Sequence, residues 1–173
     1  MSMFELKPLS REAVGRALEK AERYRLLNEP EEAESICLDI LQVDADNQEV
    51  LVMLLLAITD QFGKNHDVGA GDANRVLAKL RGEYERAYYS GVIAERWGKS
   101  RLRRGAHPSL ASGFFLEAMD GYAKAMASSP AGNDDAILRW NACIRFMERN
   151  PHLKSEAGEE ASESGFPDGA PAG

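Results

Sequence analysis

One periodicity runs almost unbroken from Ser10 to Arg149: apolar residues return at helical intervals, and no stretch alternates with the period that a half-buried strand requires. A chain patterned in this way can bury its apolar stripes only by laying helix against helix. Ala13, Ala17, Ala21 and Tyr24 mark a first helix from Ala13 to Leu27, which Ser10 can cap and Asn28-Glu29-Pro30 interrupts. Pro30 suits the first turn of a second helix, whose stripe Ala33, Ile36, Cys37, Ile40 and Leu41 ends at Asp44. Asp46 and Glu49 have the spacing of a capping box for a third helix, Asn47 to Gln61, which is apolar nearly all round and therefore central.

Lys64 to Asp72 reads as a loop, followed by a fourth helix from Ala73 to Arg81 that turns Val76, Leu77 and Leu80 inward. Gly82 is expected only to kink the passage into a fifth helix. There Tyr88, Tyr89, Val92, Ile93 and Trp97 precede a basic end that Gly105 and Pro108 stop. Ser109 can cap a sixth helix, reaching Ser128 and burying Phe114, Phe115, Met119, Tyr122 and Met126. Pro130-Ala131-Gly132-Asn133 then leads into a seventh, Asp134 to Arg149. The expected organisation is an N-terminal extension over residues 1–9, an all-α domain of about seven helices over 10–150, and a tail over 151–173. From Ser155 to Gly173 the tail offers only Phe166 as a large apolar group, too little to offset its ordering entropy, so disorder is expected there.

Composition narrows the function classes. A chain of 173 residues, 44% hydrophobic, suits one domain. Its 21 Lys and Arg against 28 Asp and Glu leave a formal net charge of −7, which opposes nonspecific attraction to nucleic acid or an anionic membrane. The longest apolar run, Val50 to Ile58, is about half of the ~20 residues a membrane span needs. The N-terminus carries no apolar signal region, so a cytoplasmic location is the expectation. Cys37 and Cys143 sit singly in apolar helical stripes and read as buried reduced thiols.

Catalytic patterns are imitated and not met. Gly98-Lys99-Ser100 looks like the end of a phosphate-binding loop, but the upstream glycine falls on Ile93 and the segment is helical. Gly69-Ala70-Gly71 lacks the preceding strand of a dinucleotide site, and Asn74 replaces its last glycine. His66, His107 and His152 lie in loops without a ligand set. Adjacent pairs such as Asp134-Asp135 and Glu159-Glu160 cannot oppose each other as hydrolytic carboxylates do. No catalytic residue, cofactor or metal site is expected. The sharpest local feature is the run Arg96, Lys99, Arg101, Arg103 and Arg104. It suits either a cationic helix C-terminus compensating the helix dipole or an anion site for acidic peptide or phosphate.

Ala118, Tyr122, Ala125 and Pro130 stand at intervals that Ala33, Cys37, Ile40 and Ala45 repeat. Ala17, Ala21 and Tyr24, then Leu51, Leu54, Leu55 and Ile58, and finally Ile137, Trp140 and Ile144 fill matching slots on the preceding helices. Over about residues 11 to 149 this resembles the tetratricopeptide (TPR) repeat family, with departures at Lys64 to Gly71 and Arg103 to Ser112. The resemblance implies a right-handed α-solenoid in which the first helix of each pair lines a concave groove. Carried over, that groove comprises Leu18, Glu22, Arg25, Val52, Leu56, Thr59, Ala94, Trp97, Leu138, Ala142 and Arg145. The heat-shock-binding members clamp a carboxylate with Lys and Asn, but those slots hold Leu18 and Glu22 here.

The resemblance thus implies an adaptor binding a protein or peptide partner, with a small acidic secretion-type chaperone as the alternative and an enzyme as a distant third. Neither nucleic acid nor membrane is an expected partner, and the pattern sets no oligomeric state. Because the tail lacks apolar anchors, deleting residues 155–173 is expected to leave the thermal midpoint unchanged; a drop of several degrees in a melting curve would show that the tail docks.

Overall fold

The computed structural model describes residues 3–153. A short 3-10 turn (Arg11–Ala13) leads into α1 (Val14–Leu26), α2 (Pro30–Val43), α3 (Gln48–Asp60), α4 (Ala70–Leu77), α5 (Glu83–Arg103), α6 (Pro108–Ala127) and α7 (Asp135–Arg149), with no strand among the described residues. The described residues are all-helical, and each helix packs chiefly on its neighbours in sequence, α5 on α6 most extensively. None of the described helices is long and apolar enough to cross a membrane. The disorder expected over 155–173 falls outside the described residues.

The apolar stripes resolve into two cores. Ala33, Cys37 and Ile40 of α2 meet Val50, Leu51, Leu54, Leu55 and Ile58 of α3, with Val76 and Leu80 closing the far side. Full burial of side chains such as Leu55 contributes about 1.5–3 kcal/mol each. The second core gathers Val92, Phe115, Ala118, Tyr122, Cys143 and Met147 from α5, α6 and α7. A further helical turn at 151–153 seats Leu153 in it. Leu56 and Tyr89 touch both cores and join them.

Several helix ends differ from the sequence expectation, each for a local reason. Ser10 makes no side-chain cap, and α1 proper begins only after the 3-10 turn. The cap of α3 is Asn47, whose side chain accepts from the Val50 amide at 3.1 Å, rather than the box of Asp46 and Glu49. Helix α4 starts at Ala70, three residues earlier than Ala73, because the Asp72 carboxylate reaches back to the Gly69 amide at 2.8 Å. It also stops at Leu77, and Gly82 is a true break. Arg86 holds the intervening turn by donating to the Leu80 and Arg81 carbonyls at 3.2 and 2.7 Å. His107, not Ser109, caps α6, its ring nitrogen accepting from the Ser109 amide at 3.3 Å.

The close packing of α5 on α6 rests on two glycines. A Cβ built on Gly121 would stand 2.8 Å from the Gly91 amide nitrogen and 3.0 Å from the Ala87 carbonyl, and one on Gly91 would stand 2.7 Å from the Tyr122 ring. Both obstacles to Gly121 are backbone, so the helices could accept a side chain there only by separating. Gly121→Ala is therefore expected to lower stability by about 1–3 kcal/mol. Gly113→Ala, in the same helix with nothing within 4 Å, should raise it by about 0.4–1 kcal/mol. Chemical denaturation midpoints of the two variants would read the opposite signs, and equal effects would contradict the contact.

Candidate functional site

The first helices of the successive pairs, α1, α3 and α5, together with α7, are tied to one another by charge. Asp60, the last residue of α3, accepts from Arg25 of α1 and from Arg96 of α5, both at 2.6 Å. Arg96 also donates to the Thr59 hydroxyl at 2.7 Å, and that hydroxyl donates onward to the Leu56 carbonyl at 2.9 Å. Further along α5, Glu95 is 1% exposed and receives Lys99 Nζ at 2.5 Å, the Tyr122 hydroxyl at 2.7 Å and the Arg139 guanidinium from α7, whose Nε lies at 3.2 Å. Every strong donor to this buried carboxylate comes from a different turn or helix, so Glu95 locks α5, α6 and α7 together.

Electrostatics follow from that geometry. Burial alone would raise the Glu95 carboxyl, but the Lys99 and Tyr122 hydrogen bonds and the Lys99 and Arg139 charges outweigh it and hold it below its ordinary value. Burial and the facing carboxylate push the Tyr122 phenol far up. Burial would lower Arg139, yet Glu95 raises it, so the guanidinium stays charged. Desolvation lifts Cys143 and Cys37 to about 12, which makes both thiols poor nucleophiles near neutral pH.

Between these two ion clusters opens a cleft of about 560 Å³, lined by the end of α3 and the turn after it, by one face of α5, and by Arg139. Its walls carry Lys64, Arg96, Lys99, Arg103, Arg104 and Arg139 against Asp60 and Glu95. Lys64 reaches the side-chain oxygen of Asn28 in the α1–α2 turn at 2.5 Å, and Arg104 lies 3.2 Å from His66 Nδ1. Since a guanidinium only donates, that ring nitrogen is the acceptor. Gly63, with φ of 82°, bends the turn after α3 through the left-handed region and passes beneath Ser100, whose hydroxyl oxygen would stand 2.9 Å from a Cβ at that position. Ser100 is 1% exposed, lines the cleft, and has no hydrogen-bond partner for its hydroxyl. Ser112 is similarly orphaned, away from the cleft.

Of the basic run, Arg96, Lys99, Arg103 and Arg104 meet at the cleft, whereas Arg101 turns away to lie 5.8 Å over the Trp97 ring. The groove positions divide more widely. Thr59 lines the cleft and Arg25 adjoins it through Asp60. Leu18, Val52 and Leu56 are half-buried, each with one side against a core. Glu22 and Arg145 are exposed, Leu138 is 63% exposed, and Ala142 is half-buried. Ala94 lies buried in the second core. Trp97 also lies off the cleft, edge-on to Phe62 at 5.1 Å and against Gly69.

The cleft also contains residues that periodicity did not single out: Asp60, Phe62, Gly63, Lys64, Glu95, Ser100 and Arg139. A carboxylate directly after the apolar stretch Gly91 to Ala94 is the one available signal for Glu95. Among the described residues no cluster of His, Cys, Asp and Glu could hold a metal ion.

Glu95 makes stability depend on pH with a definite sign. A carboxyl held lower in the folded than in the unfolded chain contributes stability that is complete above its unfolded value and lost as pH falls through its folded value. The ordinary value of such a carboxyl is 4.5, so the contribution should fade only below that pH. Glu95→Gln is expected to cost roughly 3 kcal/mol at neutral pH, because Arg139 and Lys99 lose their buried counter-charge, and to flatten the acid limb of the denaturation profile. An acid limb as steep as that of the natural chain would contradict this account.

No family model matches this sequence, and neither the curated proteins nor the solved structures contain a match to it.

Proposed function

We propose that this chain is a TPR-like interaction module, a right-handed helical solenoid that holds a segment of a partner protein along the face formed by α1, α3, α5 and α7. The observation that carries this reading is the cleft itself, whose walls come from three of those four helices. Two features support it. The positions that set the TPR-type register, Ala33, Cys37, Ala118 and Tyr122, are all fully buried between paired helices, where small and large residues must interlock. Helices α1, α3 and α5 carry half-buried Leu18, Val52 and Leu56 together with charged Arg25 and Arg96, a mixture suited to a segment that presents both apolar and polar side chains. Two free, fully buried thiols suit the reducing conditions of a cytoplasmic adaptor.

The reading places partner contacts on one face only. A photoreactive benzophenone residue at Glu22 or Leu138, both exposed on that face, is expected to capture one or two partners in stoichiometric yield. The same group at Glu31 of α2 or Glu117 of α6, exposed on the second helices of their pairs, should capture none. Equal capture from both faces would sink the groove. Capture of many unrelated unfolded segments would replace the adaptor with a client-holding chaperone.

A further inference from the structure

We infer that the cleft recognises a phosphate monoester, borne on a side chain of the partner segment; this rests on the interaction-module reading above and names the chemistry that the module selects. The argument is one of unspent charge. Six cationic side chains line the cleft against two carboxylates. Each carboxylate is already shared by two cations, Asp60 by Arg25 and Arg96, Glu95 by Lys99 and Arg139. Lys64, Arg103 and Arg104 therefore form no ion pair among the described residues. Lys64 rests on an amide oxygen and Arg104 on a neutral ring nitrogen, while Arg103 makes neither a hydrogen bond nor an ion pair within them.

Three uncommitted cations converge on one opening in a chain whose formal net charge is −7. Compensation of the α5 dipole accounts for Arg101 and Arg103 in its last turn, and in part for Arg104 beyond it. It cannot account for Lys64, which belongs to the turn after α3. Nor does it account for Ser100, a buried hydroxyl on the same wall with nothing to bond to. Leaving such a hydroxyl unpaired carries its desolvation cost without return, which a ligand oxygen would recover.

A single carboxylate would leave most of the surplus charge unanswered. A phosphoryl group carries about two negative charges and three acceptor oxygens, and guanidinium forks match it in pairs. The slots that clamp a carboxylate in the heat-shock-binding TPR proteins are Leu18 and Glu22 here, on α1 and outside the cleft lining, so the cleft is a different site.

The test titrates the full chain at low ionic strength with a capped phosphoserine peptide of alternating Gly and Ser, followed by the amide resonances of Ser100 and Gly63. Its Ser and Asp counterparts and inorganic phosphate serve as comparators. The phosphoserine peptide is expected to bind at least tenfold tighter than the Asp peptide and tighter than inorganic phosphate. Arg103→Gln and Lys64→Gln, both at exposed residues, should each weaken it about tenfold or more without moving the melting temperature. Arg101→Gln, whose side chain lies off the cleft, should leave it unchanged. Equal affinity for Asp and phosphoserine, or indifference to Arg103→Gln, would overturn the inference, and inorganic phosphate binding as tightly as the peptide would overturn its peptide source. Cross-linking to the groove without phosphate selectivity removes this inference alone. Phosphoserine binding without any face-specific partner would instead remove the interaction-module reading and leave an anion pocket.

Discussion

A carboxylate taken out of water must find its donors inside the protein, and Glu95 finds them on three helices. Lys99 follows it by one turn on α5, Tyr122 reaches it from α6, and Arg139 crosses from α7. Removing a carboxylate from water costs several kcal/mol, so the arrangement holds only when all the donors are in place. This couples the angle of α7 against α5 to the seating of Tyr122 in the second core. It also fixes the wall from which the cationic cleft is built. The same contact explains why α5 and α6 must approach so closely: Tyr122 can meet Glu95 only where Gly91 and Gly121 remove the side chains between the helices.

A second constraint acts at the junction of the two cores. Leu56 and Tyr89 supply the apolar joint, and Asp60 supplies a charged one, with Arg25 from the first pair and Arg96 from the third closing on its two oxygens. Both joints fall on the same layer of helices. Among the described residues no ion pair joins α2, α4 and α6 to one another in this way.

The helices themselves were legible in sequence because a stripe of apolar residues can be read one turn at a time. Pro30, Gly105 and Pro108 punctuate the chain where helices end or begin, and the structure uses them so. The start of α4 was not legible, because it depends on Asp72 bending back to Gly69 in a stretch rich in loop-forming residues. The role of Gly91 and Gly121 is not legible in sequence either. In isolation each reads as a weak spot in a helix, and only the facing helix turns it into a requirement. The cleft was half visible: Arg96, Lys99, Arg103 and Arg104 lie close in sequence on one helix, whereas Lys64 and Arg139 reach it from other elements of the chain. The TPR-type register places Ala94 and Trp97 in the groove, and in the structure Ala94 is buried in the second core while Trp97 lies edge-on to Phe62.

The position of the cleft relative to the two cores has a mechanical consequence. One wall, Asp60 to Lys64, belongs to the end of α3 and the turn after it, beside the first core, while Glu95, Lys99 and Arg139 lie beside the second. Anything gripped from both walls acts as a strut across the joint between them. A guest there would therefore be felt as stiffness along the whole stack of helices, and bending the stack would loosen its hold on the guest.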